Sequence, residues 1–438
     1  MASTVKRGFG SFHASNVQEL LSLPKDEYIP PQLPFTLPPI GDGLVIFGSE
    51  TKKAFFLLED ECCFLNHGAF GAALKPALEM ARTCQLYTER QPLRFYDREL
   101  LPFLVHVYRR MATFVNCCPT DLVLVNNATF ATNSVLNSFP WTAGDVILTF
   151  NITYGAVKKL VQHICSKTGA VNREAKLTFP MAGKEEVLEV LRTHLDAGDI
   201  TLVIIDHIPS NAPVVLPVAE MVQLCRAKEA RVLIDGAHAL GSIPLDLQAI
   251  DPDYYVSNCH KWFCSPKGAA ILYVTPALQH QVRPAVISHG LGSGFSSEFV
   301  WTGLHDYSPV LALHTVLDFW ETMTPTAIRS YISQLLKDAT DFLIKCWNTR
   351  LAAPLEMFGS MALVELPENI YSMFTTVDYS AAEMVQNYLY TAFNIEVPIK
   401  SLQGKLYVRI SAHIHNELSD YEKLGAAVLT YSNRTSSQ

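Results

Sequence analysis

The sequence lacks a surplus of positive charge and long apolar runs, and its first residues do not have the pattern of a secretion signal. Lysine and arginine number 34 against 42 aspartate and glutamate residues, so the formal net charge is -8 at pH 7. Without a basic surface there is little to neutralise a phosphate backbone, and we expect no nucleic-acid partner. No apolar run approaches the roughly 18 residues of a membrane helix, and the first residues contain no apolar core. We therefore expect neither membrane insertion nor secretion.

Cysteine occurs ten times, but never in a CxxC pair or at the spacing of a zinc site. Scattered cysteines in a chain without an export signal are typical of reduced thiols in a reducing compartment. We predict no bound metal and a cytoplasmic location.

Three segments differ in composition along the 438 residues. Residues 1–60 are rich in proline in their middle, which favours an extended N-terminal arm over a packed helix. Residues 61–310 alternate short apolar runs with helix-like stretches, and residues 311–438 mix the two patterns on a smaller scale. We predict an arm, a large domain and a small C-terminal domain with these bounds.

The large domain has the pattern of a parallel sheet wrapped by helices. Its helix-like stretches include 184–195 and 218–230, where apolar residues recur at helical spacing. The predicted strands are the apolar, β-branched runs 122–125, 146–148, 202–205 and 232–234. Alternation of this kind predicts an α/β fold with a central, mostly parallel sheet.

The tail has the pattern of a smaller α+β domain. We predict strands at 361–366 and 406–410, and helices at 381–393 and 420–430.

Polar residues follow the predicted strands where a ligand of an α/β sheet binds. Ala128 and Thr129 open a helix after the strand at 122–125, which suits a phosphate held by backbone N–H groups. An ordinary helix cap would have the same residues. Tyr154 follows the next strand and suits the face of a planar cofactor, although a packed core tyrosine is the alternative.

Two further strand ends have charged residues. Asp235 closes a buried strand, where an acid is costly to desolvate unless a cation meets it. A protonated pyridine nitrogen is such a cation. Lys261 follows a later strand, and a lysine whose pKa is lowered from about 10.4 by desolvation can form an imine. As an isolated feature Lys261 would be a surface lysine, so the hypothesis depends on all four strand ends together.

The motifs D-G-A-H at 235–238, H-K-W at 260–262 and P-K-G at 266–268 resemble the class V aminotransferase family. Within it, they resemble the branch of isopenicillin N epimerase-like proteins. Similarity extends from 64–68 to 408–411, so it covers most of the chain.

The resemblance implies a pyridoxal 5′-phosphate (PLP) enzyme of fold type I, with a large PLP-binding domain and a smaller C-terminal α+β domain. Lys261 would form the Schiff base and shuttle protons, and Asp235 would pair with the pyridine nitrogen. His238 would lie near the phenolic oxygen, with Tyr154 over the opposite face of the ring.

The same resemblance implies a homodimer with composite active sites. The residues implied for the phosphate within one chain are Ala128, Thr129, Asn258 and His260. A loop from the other subunit would complete that site, with Trp301 and Thr302 in the corresponding position.

The substrate implied is a small amino acid. Arg409 corresponds to the family arginine that binds the substrate carboxylate through two parallel hydrogen bonds. Asn66 and His67 are further candidates for substrate binding, and Asp206, His207 and Ser210 are candidates for pocket lining.

The reaction itself stays open at the level of sequence. We favour a C–S β-lyase, of the cysteine desulfhydrase type, acting on cysteine or an S-substituted cysteine. The alternatives are an amino-acid epimerase or racemase, an aminotransferase, and a scaffold of the same fold that binds PLP or a partner without turnover. A cysteine desulfurase is disfavoured, because residues 350–404 contain no cysteine and Cys346 lies in a helix-like run.

Overall fold

A computed structural model describes residues 16–41 and 46–434. The expectation that the first residues form no export signal concerns residues 1–15, which lie outside the described part. Among the described residues, no helix is both long and apolar enough to cross a bilayer. All ten cysteines have free thiols.

A seven-stranded sheet forms the centre of the chain, in the order β2-β8-β7-β6-β5-β3-β4. Its strands are β2 Leu122–Val125, β3 Val146–Phe150, β4 Val171–Ala175, β5 Ile200–Asp206, β6 Arg231–Asp235, β7 Tyr254–Asn258 and β8 Ala270–Val274. Six of the seven strands are buried, with single exceptions at the second position of β5 and the first of β6, because both faces of the sheet carry helices. Only β8 runs antiparallel to its neighbours, β2 and β7. The predicted strands therefore lie where the sequence places them.

The remaining strands form two small sheets. β9 Met361–Glu365, β11 Ile399–Leu402 and β12 Lys405–Ser411 make an antiparallel sheet in the order β11-β12-β9, and β1 Cys63–Phe64 pairs with β10 Ile395–Glu396. This last pairing joins the start of the predicted large domain to the predicted small one.

Helices surround the sheets. In chain order they are α1 Val17–Ser22, α2 Ser49–Phe55, α3 His67–Phe70, α4 Lys75–Arg90, α5 Pro92–Arg94, α6 Leu100–Phe114, α7 Ala128–Ser138, α8 Gly155–Thr168, α9 Lys184–Asp196, α10 Val218–Arg226, α11 Leu247–Ile250, α12 Phe295–Val300, α13 Ser308–Leu311, α14 Leu313–Met323, α15 Pro325–Trp347, α16 Glu368–Tyr371, α17 Tyr379–Phe393 and α18 Leu418–Ser432. A short π-helical turn, Phe95–Glu99, precedes α6.

The predicted segments differ in detail from what the chain forms. Residues 23–41 contain no helix or strand, as the prolines predict, but the arm also contains α1 and α2, each with a buried face. α13 and α14 pack on α4 and α6 of the predicted large domain, whereas α15 packs on β9 and α18. The domain bounds stay a prediction.

Candidate active site

A cavity of about 190 Å³ opens at the carboxyl ends of the parallel strands. Because β2, β3, β5, β6 and β7 point the same way, the residues that follow them meet at one edge of the sheet. Its lining includes Ala128, Thr129, Tyr154, Asp235, His238, Asn258, His260 and Lys261. Residues predicted at four separate strand ends thus share one cavity.

Lys261 lines this cavity and is partly buried, with Nζ 2.9 Å from Nε2 of His238. Burial lowers the pKa of Lys261 to about 8, an effect that Asp235 opposes and Arg409 reinforces. Its backbone is held by close contacts, since a Cβ at Gly71, where φ is 67°, would collide with the carbonyl of His260. The backbone that carries Lys261 is therefore closely packed, and its amine is easily deprotonated.

Two carboxyl groups lie side by side in the lining of the cavity, because Asp206 of β5 and Asp235 of β6 are direct partners across the sheet. Burial, and then the charge of Asp235, raises the pKa of Asp206 well above its ordinary value. Burial also raises the pKa of Asp235, although an N–H from Ala237 at 3.0 Å opposes this. Asp206 Oδ2 has no hydrogen-bond partner among the described residues. This pair favours a cationic ligand.

The first turn of α7 also lines the cavity. Asn127 caps the helix by accepting a hydrogen bond from Phe130 N–H at 2.8 Å. Asn258 accepts from Ala128 N–H at 2.9 Å, which fixes the turn against β7. Thr129 is exposed at the mouth, and His260 lines the wall with an Nδ1 that has no partner among the described residues. The helix N-terminus and neutral polar groups suit an anion.

Arg409 of β12 lies deep in the protein, with only 2% of its surface exposed. Its guanidinium donates to Ser210, through the carbonyl at 2.6 Å and the hydroxyl at 3.2 Å, and to Asn66 Oδ1 at 2.9 Å. None of the described acidic side chains forms an ion pair with it. Burial lowers the pKa of Arg409 to about 10. A buried cation held only by neutral acceptors is prepared for an anionic ligand.

His67 does not line the cavity, in contrast to the substrate-binding role expected for it. It lies fully buried behind Lys261, with Nε2 3.1 Å from the Lys261 carbonyl and Nδ1 3.1 Å from His415 Nε2. The direction of its side chain at the start of α3 causes this, since the adjacent Asn66 points towards Arg409 instead. The structure gives His67 a supporting position.

His67, Cys264 and His413 form a buried group of ligand-type side chains within 4.8 Å of one another. The rings of His67 and His413 stack at 3.9 Å with an interplanar angle of 14°. A ligated metal lies in the plane of each imidazole, so rings in this arrangement do not share an ion. The prediction that the chain binds no metal stays a prediction.

Trp301 and Thr302 lie apart from this cavity. Thr302 lines a separate small hollow beside Val125 and Tyr307, and Trp301 stacks on Tyr307 at 6.1 Å. They do not contribute to the site of their own chain.

Three residues near the cavity had no predicted role. Phe70, which is 77% exposed, lies at the mouth. Trp262 belongs to the H-K-W motif and contacts His238 from behind. Lys400 lies on β11, and burial, with Arg409 in addition, lowers its pKa to about 8. No sequence motif marks Lys400 as a site residue. The pairing of β11 with β12 brings it near Arg409.

Similarity to known proteins covers most of the chain. A family model described as aminotransferase class-V matches residues 106–357. The probable chloroplastic L-cysteine desulfhydrase of Arabidopsis thaliana is 31% identical over 418 residues, which is 89% of this chain and 87% of that protein. Isopenicillin N epimerase of Streptomyces clavuligerus is 26% identical over 398 residues, covering 86% of this chain and 97% of that protein.

Solved structures share the fold. The cystine C–S lyase C-DES, in complex with its reaction product cysteine persulfide, superposes with a TM-score of 0.71 at 23% identity, covering 84% of this chain and 97% of that one. The apo cysteine desulfurase from Thermococcus onnurineus NA1 gives a TM-score of 0.72 at 18% identity, with 89% and 98% covered. The predicted α/β fold with its mostly parallel sheet is confirmed.

Proposed function

Because the chain belongs to the class V aminotransferase family, we propose that it is a C–S β-lyase acting on cysteine or an S-substituted cysteine. Family membership confirms the resemblance predicted from the D-G-A-H and H-K-W motifs, and with it PLP as the cofactor. The chain is a PLP-dependent enzyme of the lyase or isomerase type. Relatives named L-cysteine desulfhydrases support the lyase. An epimerase is the second candidate, because a named epimerase also matches across 86% of this chain.

The polar groups of the cavity fit PLP. Asp235 would hold the pyridine nitrogen, since the buried pair with Asp206 favours a cation. The first turn of α7, with Thr129, would hold the phosphate. Tyr154 would cover one face of the ring, and Lys261 would provide the amine that carries the aldehyde carbon. When bound, PLP supplies an electron sink for negative charge at the substrate Cα.

The chain's own residues would then control the substrate. Arg409 would exchange its hydrogen bonds to neutral acceptors for two to the substrate carboxylate. Lys261 Nζ, with its lowered pKa of about 8, would remove the Cα proton near neutral pH. The observation that carries the proposal is that Lys261 and Asp235 line one cavity. The buried Arg409, which forms no ion pair with the described acidic residues, lies close enough to lower the pKa of Lys261.

Turnover of cysteine tests the proposed reaction. The lyase should convert cysteine and water to pyruvate, ammonia and sulfide in equal amounts, because loss of the β-sulfur leaves an enamine that hydrolyses. We would incubate the PLP-loaded protein with L-cysteine and S-substituted cysteines in D₂O and measure the keto acid, sulfide and Cα deuterium. Deuterium at Cα with inversion and no keto acid would instead identify the epimerase.

Replacing Asp235 with asparagine should weaken PLP retention by about tenfold to a hundredfold, the loss expected for a hydrogen bond to a charged group. Dialysis of the loaded protein, followed by its visible absorbance, measures this. Asp206→Asn is the matched comparison and should cause a smaller loss, since the raised pKa of Asp206 favours its neutral form. Equal losses in both variants would contradict the assignment of Asp235.

We also propose a cytoplasmic homodimer with composite sites. Trp301 and Thr302 lie outside the cavity of their own chain, within a segment whose exposed apolar side chains favour a second copy as its partner. These side chains are Val286, Ile287, Leu291 and Leu304.

A further inference from the structure

Trp262, His238 and Lys261 form a hydrogen-bonded line that leads into the cavity. Trp262 Nε1 lies 3.3 Å from His238 Nδ1, and His238 Nε2 lies 2.9 Å from Lys261 Nζ. Trp262 is 1% exposed and His238 is 3% exposed, so water does not replace either contact. Among the described residues, Trp262 Nε1 and the two ring nitrogens of His238 each have one hydrogen-bond partner, and that partner belongs to this line.

The indole group decides how the imidazole is protonated. An indole N–H only donates, so Nδ1 of His238 must present its lone pair. Burial, and then the charge of Lys261, lowers the pKa of His238 well below its ordinary value, which disfavours the imidazolium. In the neutral ring the proton must then be on Nε2. His238 therefore directs an N–H towards Lys261.

That N–H in turn requires an acceptor on the lysine. An ammonium group has three donors and no acceptor, whereas a neutral amine offers a lone pair. The contact at 2.9 Å is thus a hydrogen bond only when Lys261 is neutral. If the ring were protonated at Nδ1 instead, Nε2 would accept from the ammonium and stabilise the charged lysine.

We propose that Trp262 is a positioning residue that fixes His238 as an Nε2–H donor and so holds Lys261 in its neutral form. The proposal rests on the proposed role of Lys261 as the PLP-carrying amine. With the cofactor bound, the same N–H would remain able to donate to an acceptor. His238 with its proton fixed on Nε2 would then act at that atom only as a hydrogen-bond donor.

Other charged groups also face this line. Asp235 and Asp206 lie within electrostatic reach of Lys261 from β6 and β5, and Arg409 lies within reach from β12. His260 and Lys400 act on His238 in the same way. Because none of these groups touches the indole, they stay unchanged when only the N–H of Trp262 is removed.

Trp262→Phe keeps an aromatic ring but removes the donor. In the apoprotein, the rate of imine formation with added pyridoxal 5′-phosphate should rise with pH through the pKa of Lys261. We expect the midpoint in Trp262→Phe to lie roughly one pH unit higher than in the wild type, which corresponds to one neutral hydrogen bond. The direction is upward because the freed imidazole can accept from the ammonium.

Trp320→Phe is the matched control. Trp320 is equally buried and also donates at 3.3 Å, but to the carbonyl of Phe263, so its replacement should leave the midpoint unchanged. A Trp262→Phe protein that is folded by circular dichroism and has the wild-type midpoint overturns the proposal.

Nitrogen-15 NMR of the wild-type apoprotein provides a readout that needs neither turnover nor the variant. The His238 signals, identified by their loss in His238→Gln, should show a bare Nδ1 and a protonated Nε2. A proton on Nδ1 would refute the proposal even if Trp262→Phe failed to fold. Because neither measurement involves cysteine, failure here is distinct from failure of the lyase assignment.

Discussion

Lys261→Ala should lower the rate of cysteine turnover by more than roughly 10⁴-fold, while the protein stays folded. Among the described residues, Lys261 is the only lysine that lines the cavity, and its lowered pKa of about 8 makes it reactive near neutral pH. Pyruvate release from cysteine measures the loss. Borohydride reduction of the PLP-loaded wild type should leave a covalent label on Lys261, and the variant should carry none.

Lys267→Ala controls for the choice of lysine. Lys267 lies close in sequence, but its amine donates to the Gly71 carbonyl at 3.2 Å outside the cavity. This variant should retain the label. A label that survives in Lys261→Ala and disappears in Lys267→Ala would show that the wrong lysine has been assigned.

Arg409→Ala should lower kcat/KM for cysteine on the order of 100-fold, mostly through KM, because the lost contacts bind the carboxylate throughout the reaction. That factor corresponds to about 3 kcal/mol. Initial rates over a range of cysteine concentrations separate the two constants. PLP retention should change little, since Arg409 lies on the small sheet and its hydrogen bonds go to Ser210 and Asn66.

Arg350→Ala is the matched control for the loss of one arginine. Arg350 pairs with Glu365 at 3.1 Å and its side chain is 60% exposed, so the variant should leave both kinetic constants near those of the wild type. An Arg409→Ala enzyme with unchanged kcat/KM would disprove the carboxylate contact.

Strand-end residues could be predicted from sequence because topology, rather than side-chain detail, brings them together. Tyr154, Asp235 and Lys261 each follow an apolar run that is a strand. Parallel strands of one sheet end at one edge, so their order along the chain predicts a common site. The motifs that resemble the class V family support the same residues.

Contacts between the cavity and the small sheet were beyond the reach of pattern alone. Asn66 and His67 are adjacent, yet one binds Arg409 and the other lies behind Lys261. Lys400 approaches because β11 pairs with β12, which carries Arg409. Pairings of this kind depend on how separate segments pack, and residue spacing does not encode that packing.

By itself, the sequence determined the fold class, the cofactor and the lysine and aspartate at the ends of their strands. Periodicity and motif are local properties, and they are retained in any correct packing of the chain. Only the tertiary structure decided which side chains face the two ring nitrogens of His238 and which side chains hold Arg409. A hydrogen bond requires two atoms about 3 Å apart in a suitable direction, and packing alone sets that distance.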